Sequence, residues 1–214
     1  MILITEYFKS DLEERNNEII TCIKNNSKLD LFSKIILLNE KDILDIDGVT
    51  NEITGQRLTF KYAFEYANKN FQDEIIVFAN NDIFYDITLL KVKKHNMLNK
   101  CLALLRYDIT DDNSSCNINI FKKYHVDEPR IDSQDTWIIK TPIKTTEEMD
   151  FYFGVPGCDN YIAFLLSKVG YQVSNPCYDI KTYHLHRTNK RTSNKNERVG
   201  NRSQYKYLEP SKLN

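Results

Sequence analysis

The chain has 214 residues, of which 41% are apolar and 28% charged, with a formal net charge of −1. That length suits one large domain with a well-buried core, and six Gly with five Pro rule out a low-complexity chain. The near-neutral balance excludes a dedicated nucleic-acid binder, whose surface would be strongly basic.

Residues 2–8 read as an apolar strand. Met1-Ile2-Leu3-Ile4 leads straight into Thr5-Glu6 with no basic region or cleavage site, and no later run approaches a membrane span, so a cytoplasmic protein without a transmembrane segment is expected. Residues 11–26 carry Leu12, Ile19, Ile20 and Ile23 at helical spacing, with Ser10 or Asp11 as N-cap. Residues 34–39 (KIILLN) form the second strand, which completes a βαβ unit. Residues 41–56 read as a loop around Gly48 and Gly55, and residues 58–70 as a helix leading into a strand over 75–79. Three strands separated by two helices predict a parallel, twisted sheet. A short helix over 87–94 and a strand over 101–107 follow, then a polar stretch over 108–133 with an exposed loop at 111–115. Residues 135–140 form a strand that holds the single tryptophan, and residues 158–169 a helix that stops at Gly170. Residues 171–174 and 180–186 are the last strands. The expected architecture is α/β: one domain over residues 1–190, a central, mostly parallel mixed sheet flanked by helices, and a basic tail over 191–214. Between 187 and 206 seven Lys or Arg face one acid, Glu197; such a run is either a solvated tail or an arm that closes over an anion. The five scattered cysteines (Cys22, Cys101, Cys116, Cys158, Cys177) include no C-x-x-C pair and fit a reducing compartment.

The chemistry gathers at strand ends. Glu74-Ile75-Ile76-Val77-Phe78-Ala79 runs into Asn80-Asn81-Asp82, so an apolar strand of a kind buried on both faces delivers amides and a carboxylate to its carboxyl end. There α/β sheets bind ligands, and Asp82 could hold a divalent cation beside a phosphate; the plainer alternative is a turn that uses the two Asn side chains locally. His184 and His186, two apart in a strand, share a face and could ligate one ion or serve as ordinary histidines. Phe153-Gly154-Val155-Pro156-Gly157-Cys158-Asp159-Asn160 feeds a helix; Asp159 is either its cap or a general base at a pocket rim. Asp132-Ser133-Gln134-Asp135-Thr136-Trp137 could be a turn or a sugar-binding edge. Arg15 and Arg57 flank helices and are either phosphate contacts or surface arginines.

Taken in order, Ala79-Asn80-Asn81-Asp82-Ile83, Asp132–Trp137, Gly157–Asn160 and Lys181–His186 resemble a family of small GT-A-fold glycosyltransferases, in particular the N-terminal glycosyltransferase domain of chlorella-virus enzymes that decorate the capsid protein. The resemblance implies a Rossmann-like GT-A fold, a UDP-sugar donor, Mn²⁺ or Mg²⁺ bridging the donor diphosphate, and a glycan or glycoprotein acceptor. It implies that Thr5, Glu6 and Tyr7 carry the nucleotide base and that Arg15, Arg57, Asn80, Asn81 and Asp82 bind the donor. Asp82, His184 and His186 would hold the metal, and Asp159 or Asp135 would act on the acceptor. Asn80 departs from the family's D-x-D pattern, leaving the ion one carboxylate fewer. Two other functions compete: a sugar-1-phosphate nucleotidyltransferase, which usually needs a glycine-rich loop that residues 5–15 lack, and a catalytically silent nucleotide- or glycan-binding module.

Overall fold

A computed structural model describes residues 1–109, 116–120, 128–185 and 198–214. Its elements are β1 (Ile2–Thr5), α1 (Glu13–Ser27), β2 (Lys34–Asn39), β3 (Val49–Ile53), α2 (Phe60–Asn70), β4 (Ile75–Ala79), β5 (Ile83–Tyr85), β6 (Lys100–Leu105), β7 (Tyr107–Ile109), β8 (Cys116–Ile118), β9 (Gln134–Lys140), α3 (Cys158–Lys168), β10 (Gln172–Ser174) and β11 (Thr182–His184). A 3₁₀ helix, Ile87–Lys94, occupies the expected short helical segment.

The large sheet has seven strands in the order β10-β6-β9-β4-β1-β2-β3. β1 pairs in parallel with β2 and β4, and β2 with β3, while β9 runs antiparallel to both β4 and β6. Both faces are covered, which explains the unbroken apolar run of β4: Ile76 and Phe78 enter the core under α2 and α3, and Val77 and Ala79 enter the core on the opposite face. The first core is aromatic-rich, with Trp137 edge-on to Phe60 at 4.8 Å and Phe60 stacked on Phe153 at 3.8 Å. On the other face lie α1 and a second sheet of four strands, ordered β5-β11-β7-β8. The expected single sheet is therefore two. α1 is pinned to the small sheet by Asn26, whose Nδ2 donates to the Ile83 carbonyl at 2.9 Å and whose Oδ1 accepts from Tyr85 N at 3.2 Å.

Several local expectations differ. Residues 41–56 are not all loop, because they contain β3, an edge strand whose Asn, Glu and Thr residues carry no apolar run. The N-cap of α1 is Leu12, without a side-chain bond, while Ser10 Oγ, two residues earlier, accepts from Leu12 N. Thr59 caps α2 through Tyr62 N. The expected boundary between a domain and a basic tail at residues 190 and 191 lies outside the described residues. From residue 198 onward the chain runs along the body: Val199 N donates to Pro156 O at 3.1 Å, Lys206 N to Asn160 O at 3.1 Å and Leu208 N to Ile131 O at 2.9 Å. Leu208 is buried in the aromatic-rich core. None of the five cysteines is in a disulfide. Among the described residues no helix is long and apolar enough to cross a membrane.

Candidate functional site

The central five strands of the large sheet bring the side chains at issue to one edge. β1, β2, β4 and β6 finish there, and antiparallel β9 begins there. The edge therefore collects residues 5–7, Asn39, residues 80–82, Arg106 and Asp135. Asp159 arrives from the first turn of α3, whose Asn160 Nδ2 bonds the Asp132 carbonyl at 3.3 Å. His184 is delivered by the small sheet: antiparallel pairing with β5 sets it opposite Ile83, and Leu185 N donates to Asp82 O at 3.0 Å.

A ring of hydrogen bonds joins these side chains. Arg15 Nη2 donates to Asp82 Oδ2 at 2.6 Å, and His184 Nε2 stands 3.2 Å from the same oxygen. His184 Nδ1 lies 3.0 Å from Asp108 Oδ1, which also accepts from Arg106 Nε at 3.1 Å. Arg106 Nη1 donates to Asp135 Oδ2 at 2.7 Å, and Asn80 Nδ2 to Asp135 Oδ1 at 2.7 Å. Asn80 and Asp82 share one turn, so the ring closes.

Charge follows from this geometry. Both carboxylates that flank His184 can only accept, so both ring nitrogens carry protons when nothing else intervenes. Burial opposes that charge, but the Asp82 charge and the bonds to Asp108 and Asp82 outweigh it and lift the His184 pKa to about 9, with Arg106 pulling the other way. Burial likewise opposes ionisation of Asp108, yet the bonds from His184 and Asn119 and the Arg106 charge hold it well below the ordinary carboxylate range. Asp159 moves the opposite way: burial first, then the Asp135 charge, raises its pKa to about 8. The helix does not use Asp159 as its cap, because the N-cap is Gly157 at φ 87°; the Asp159 carboxylate instead accepts from Cys158 Sγ at 3.1 Å. Asp159 is therefore not the N-cap of α3 but an acid in its first turn, where a carboxylate favours the helix dipole.

A second group lies at the end of β1. Thr5 Oγ1 donates to Ala79 O at 2.9 Å and ties β1 to β4. Tyr7 N donates to Asn39 Oδ1 at 2.7 Å, while the Tyr7 ring is buried against Ile19 and Leu37. Half-buried Glu6 is raised to about 7 by burial, against the pull of Arg57 and a hydrogen bond from Leu58 N. Arg57 donates to Phe153 O at 3.0 Å and lies 4.7 Å over the Tyr152 ring. Arg15 is no surface residue: it is 8% exposed and bonded to Glu18 as well as Asp82.

A divalent ion at this edge would find a carboxylate oxygen and an imidazole nitrogen, a pairing that suits Mn²⁺. Asp82 Oδ2 and His184 Nε2 are close enough to share an ion that replaces the proton between them. His186, the third expected ligand, lies outside the described residues. Among the described residues no group of three His, Cys, Asp or Glu side chains could hold a metal, so diphosphate oxygens and water would have to complete the shell. Asn81 Nδ2, buried beside Asp82, has no protein acceptor among the described residues and would suit a ligand oxygen. Asn80, the departure from D-x-D, holds Asp135. Sequence reasoning misses Arg106, Asp108 and Glu18. The signal for the first two is the same as for Asp82, polar groups directly after an apolar strand.

No protein-family model matches this sequence, and no curated protein matches it. Among solved structures the chain is similar to the mannosyltransferase PcManGT from Pyrobaculum calidifontis, determined in complex with GDP-Man and Mn²⁺, at 12% identity and a TM-score of 0.52. The likeness covers 89% of this chain and 58% of that one, so this chain spans little more than half its neighbour's length. At that identity the likeness establishes a shared α/β fold.

Proposed function

We propose that this chain is a metal-dependent glycosyltransferase that moves a sugar from a nucleotide-sugar donor to a glycan or glycoprotein acceptor. The observation that carries the reading is the meeting of Asp82 with His184 beside the Asp135–Asp159 pair, at the ligand-binding edge of a fold shared with a glycosyltransferase. Asp82 and His184 would hold Mn²⁺ or Mg²⁺, with His186 as a further ligand; when bound, the ion neutralises the donor diphosphate. Arg15, next to Asp82, and the Asn81 amide face the same charge. Thr5, Glu6 and Tyr7, at the end of β1, would carry the nucleotide base, and Arg57 would contact a donor phosphate.

In transfer, the bond between the anomeric carbon and the diphosphate oxygen breaks as the acceptor oxygen bonds to that carbon. Asp159 takes the acceptor hydroxyl proton in an inverting course. Its raised pKa makes it a strong enough base for that role. Both oxygens of Asp135 are engaged by Asn80 and Arg106, so Asp135 acts through its charge on Asp159.

The donor is a UDP-sugar by the resemblance to chlorella-virus capsid glycosylation, and GDP-Man is what the structural neighbour binds. The test is release of free nucleoside diphosphate from a panel of UDP- and GDP-sugars with Mn²⁺, with Mg²⁺ and with chelator. Metal-dependent release supports the proposal. Pyrophosphate release from a nucleoside triphosphate and a sugar-1-phosphate would make the chain a nucleotidyltransferase, and donor binding without turnover would make it a binding module.

A further inference from the structure

Asp108 lies on β7, in the small sheet, and its carboxylate is held from three directions. Arg106 Nε donates to Oδ1 at 3.1 Å, Asn119 Nδ2 donates to Oδ2, and His184 Nδ1 stands 3.0 Å from Oδ1. The strand register produces the last contact: β7 pairs in parallel with β11, and His184 is paired with Asp108, so their side chains leave the sheet together. A carboxylate oxygen accepts only, so Nδ1 must be the donor in this bond, and the ring is turned with Nε2 toward Asp82. Asn119 is itself fixed, its backbone N donating to Arg106 O at 3.1 Å.

We infer that Asp108 is a positioning residue: by accepting Nδ1–H it fixes the tautomer and orientation in which His184 offers Nε2 to a divalent cation shared with Asp82. The inference rests on the reading of Asp82 and His184 as metal ligands. It gives the small sheet a task, since β7 and the residue that follows β8 carry the groups that aim the histidine of β11. A carboxylate bound to the far nitrogen of a metal-ligating imidazole also makes that imidazole a better donor, and losing such a partner typically weakens metal binding about 10–100-fold.

The test is calorimetric titration of the full chain with Mn²⁺, in the presence of UDP or GDP, for wild type, Asp108→Ala, Asp108→Asn and Asp82→Asn. Asp108→Ala should lose about 10–100-fold in Mn²⁺ affinity, and Asp108→Asn, whose amide oxygen still accepts Nδ1–H, should recover most of it. Wild-type affinity in Asp108→Ala together with lost binding in Asp82→Asn overturns the role of Asp108 and leaves the metal reading standing. No Mn²⁺ uptake by wild type overturns both. Should Asp108→Ala fail to fold, long-range ¹H–¹⁵N correlation spectra of wild type loaded with diamagnetic Zn²⁺ decide the matter. A proton on His184 Nδ1 is expected, and a proton on Nε2 overturns the inference.

Discussion

Asn80 and Asp135 are joined twice, side chain to side chain at 2.7 Å and backbone Asn80 N to Asp135 O at 3.1 Å. The bond fixes one oxygen of Asp135 while Arg106 fixes the other, and it accounts for an amide where a D-x-D pattern would put an acid. A carboxylate at position 80 would confront Asp135 directly. Asn80→Asp should therefore lose a hydrogen bond to a charged group, worth about 2 kcal/mol, and gain a repulsion. The melting temperature should fall by roughly 4–8 °C at neutral pH, and a thermal melt matching wild type would contradict the pairing.

Asp82 has two roles that a single substitution separates. Its carboxylate neutralises buried Arg15, and the same oxygen faces His184. Asp82→Asn keeps an acceptor for Arg15 but removes the charge that a cation and its diphosphate need, so metal-dependent donor turnover should be abolished. It should also lower stability, because breaking a buried ion pair by discharging one partner is costly, up to about 3–5 kcal/mol. Arg15→Met in the Asp82→Asn background removes the uncompensated cation but also a partner of buried Glu18, so it should leave the melting temperature below wild type and should not restore turnover. Recovered turnover in the double variant would remove Asp82 from the chemistry.

Much of the scaffold is legible in the sequence because burial on both faces leaves a plain mark. β2 and β4 are unbroken apolar runs, and they end where they are expected to end. β3 is invisible for the complementary reason: an edge strand with one neighbour needs no apolar alternation, and VTNEI has none. Asp82 stands out as a carboxylate that terminates an apolar strand, and His184 as one of two histidines spaced to share a strand face. Arg106 and Asp108 follow the apolar run of β6 in the same way, but the contact of Asp108 with His184 depends on the register of two three-residue strands far apart in the chain, which no local period encodes. Asp159 is legible as an acid near a helix start, but only the structure shows that Gly157 takes the N-cap position and leaves Asp159 in the first turn.

Glu6 offers a pH test independent of any ligand. Burial raises its pKa from 4.5 to about 7, against the opposing pull of Arg57, so the folded chain holds this proton more tightly than the unfolded one. The sign follows: the group favours the folded state below its ordinary pKa, and that contribution is lost as pH rises through about 7. Glu6→Gln should raise the melting temperature at pH 8.5 and leave it nearly unchanged at pH 5. Equal shifts at both pH values would mean that Glu6 keeps an ordinary carboxylate environment.

Asp159 separates catalysis from stability most cleanly. Gly157 occupies the N-cap of α3 and Asp159 makes no capping bond there, so Asp159→Asn should leave the helix intact. As the group that receives the acceptor proton it must be ionised, and its pKa is raised to about 8 by burial and by the Asp135 charge. Transfer by wild type should therefore climb with pH up to about 8 and level off above it. Asp159→Asn should lose roughly 10²–10⁴ in transfer rate, keep nucleotide-sugar binding, and show no such rising limb. Stability runs the other way. A half-buried acid whose folded pKa is raised stabilises the chain below its ordinary range and loses that contribution as pH rises through about 8, so the Asn variant should melt above wild type at pH 9. Transfer within a few-fold of wild type across this range, or a pH profile that survives the substitution, would assign the proton to another acceptor.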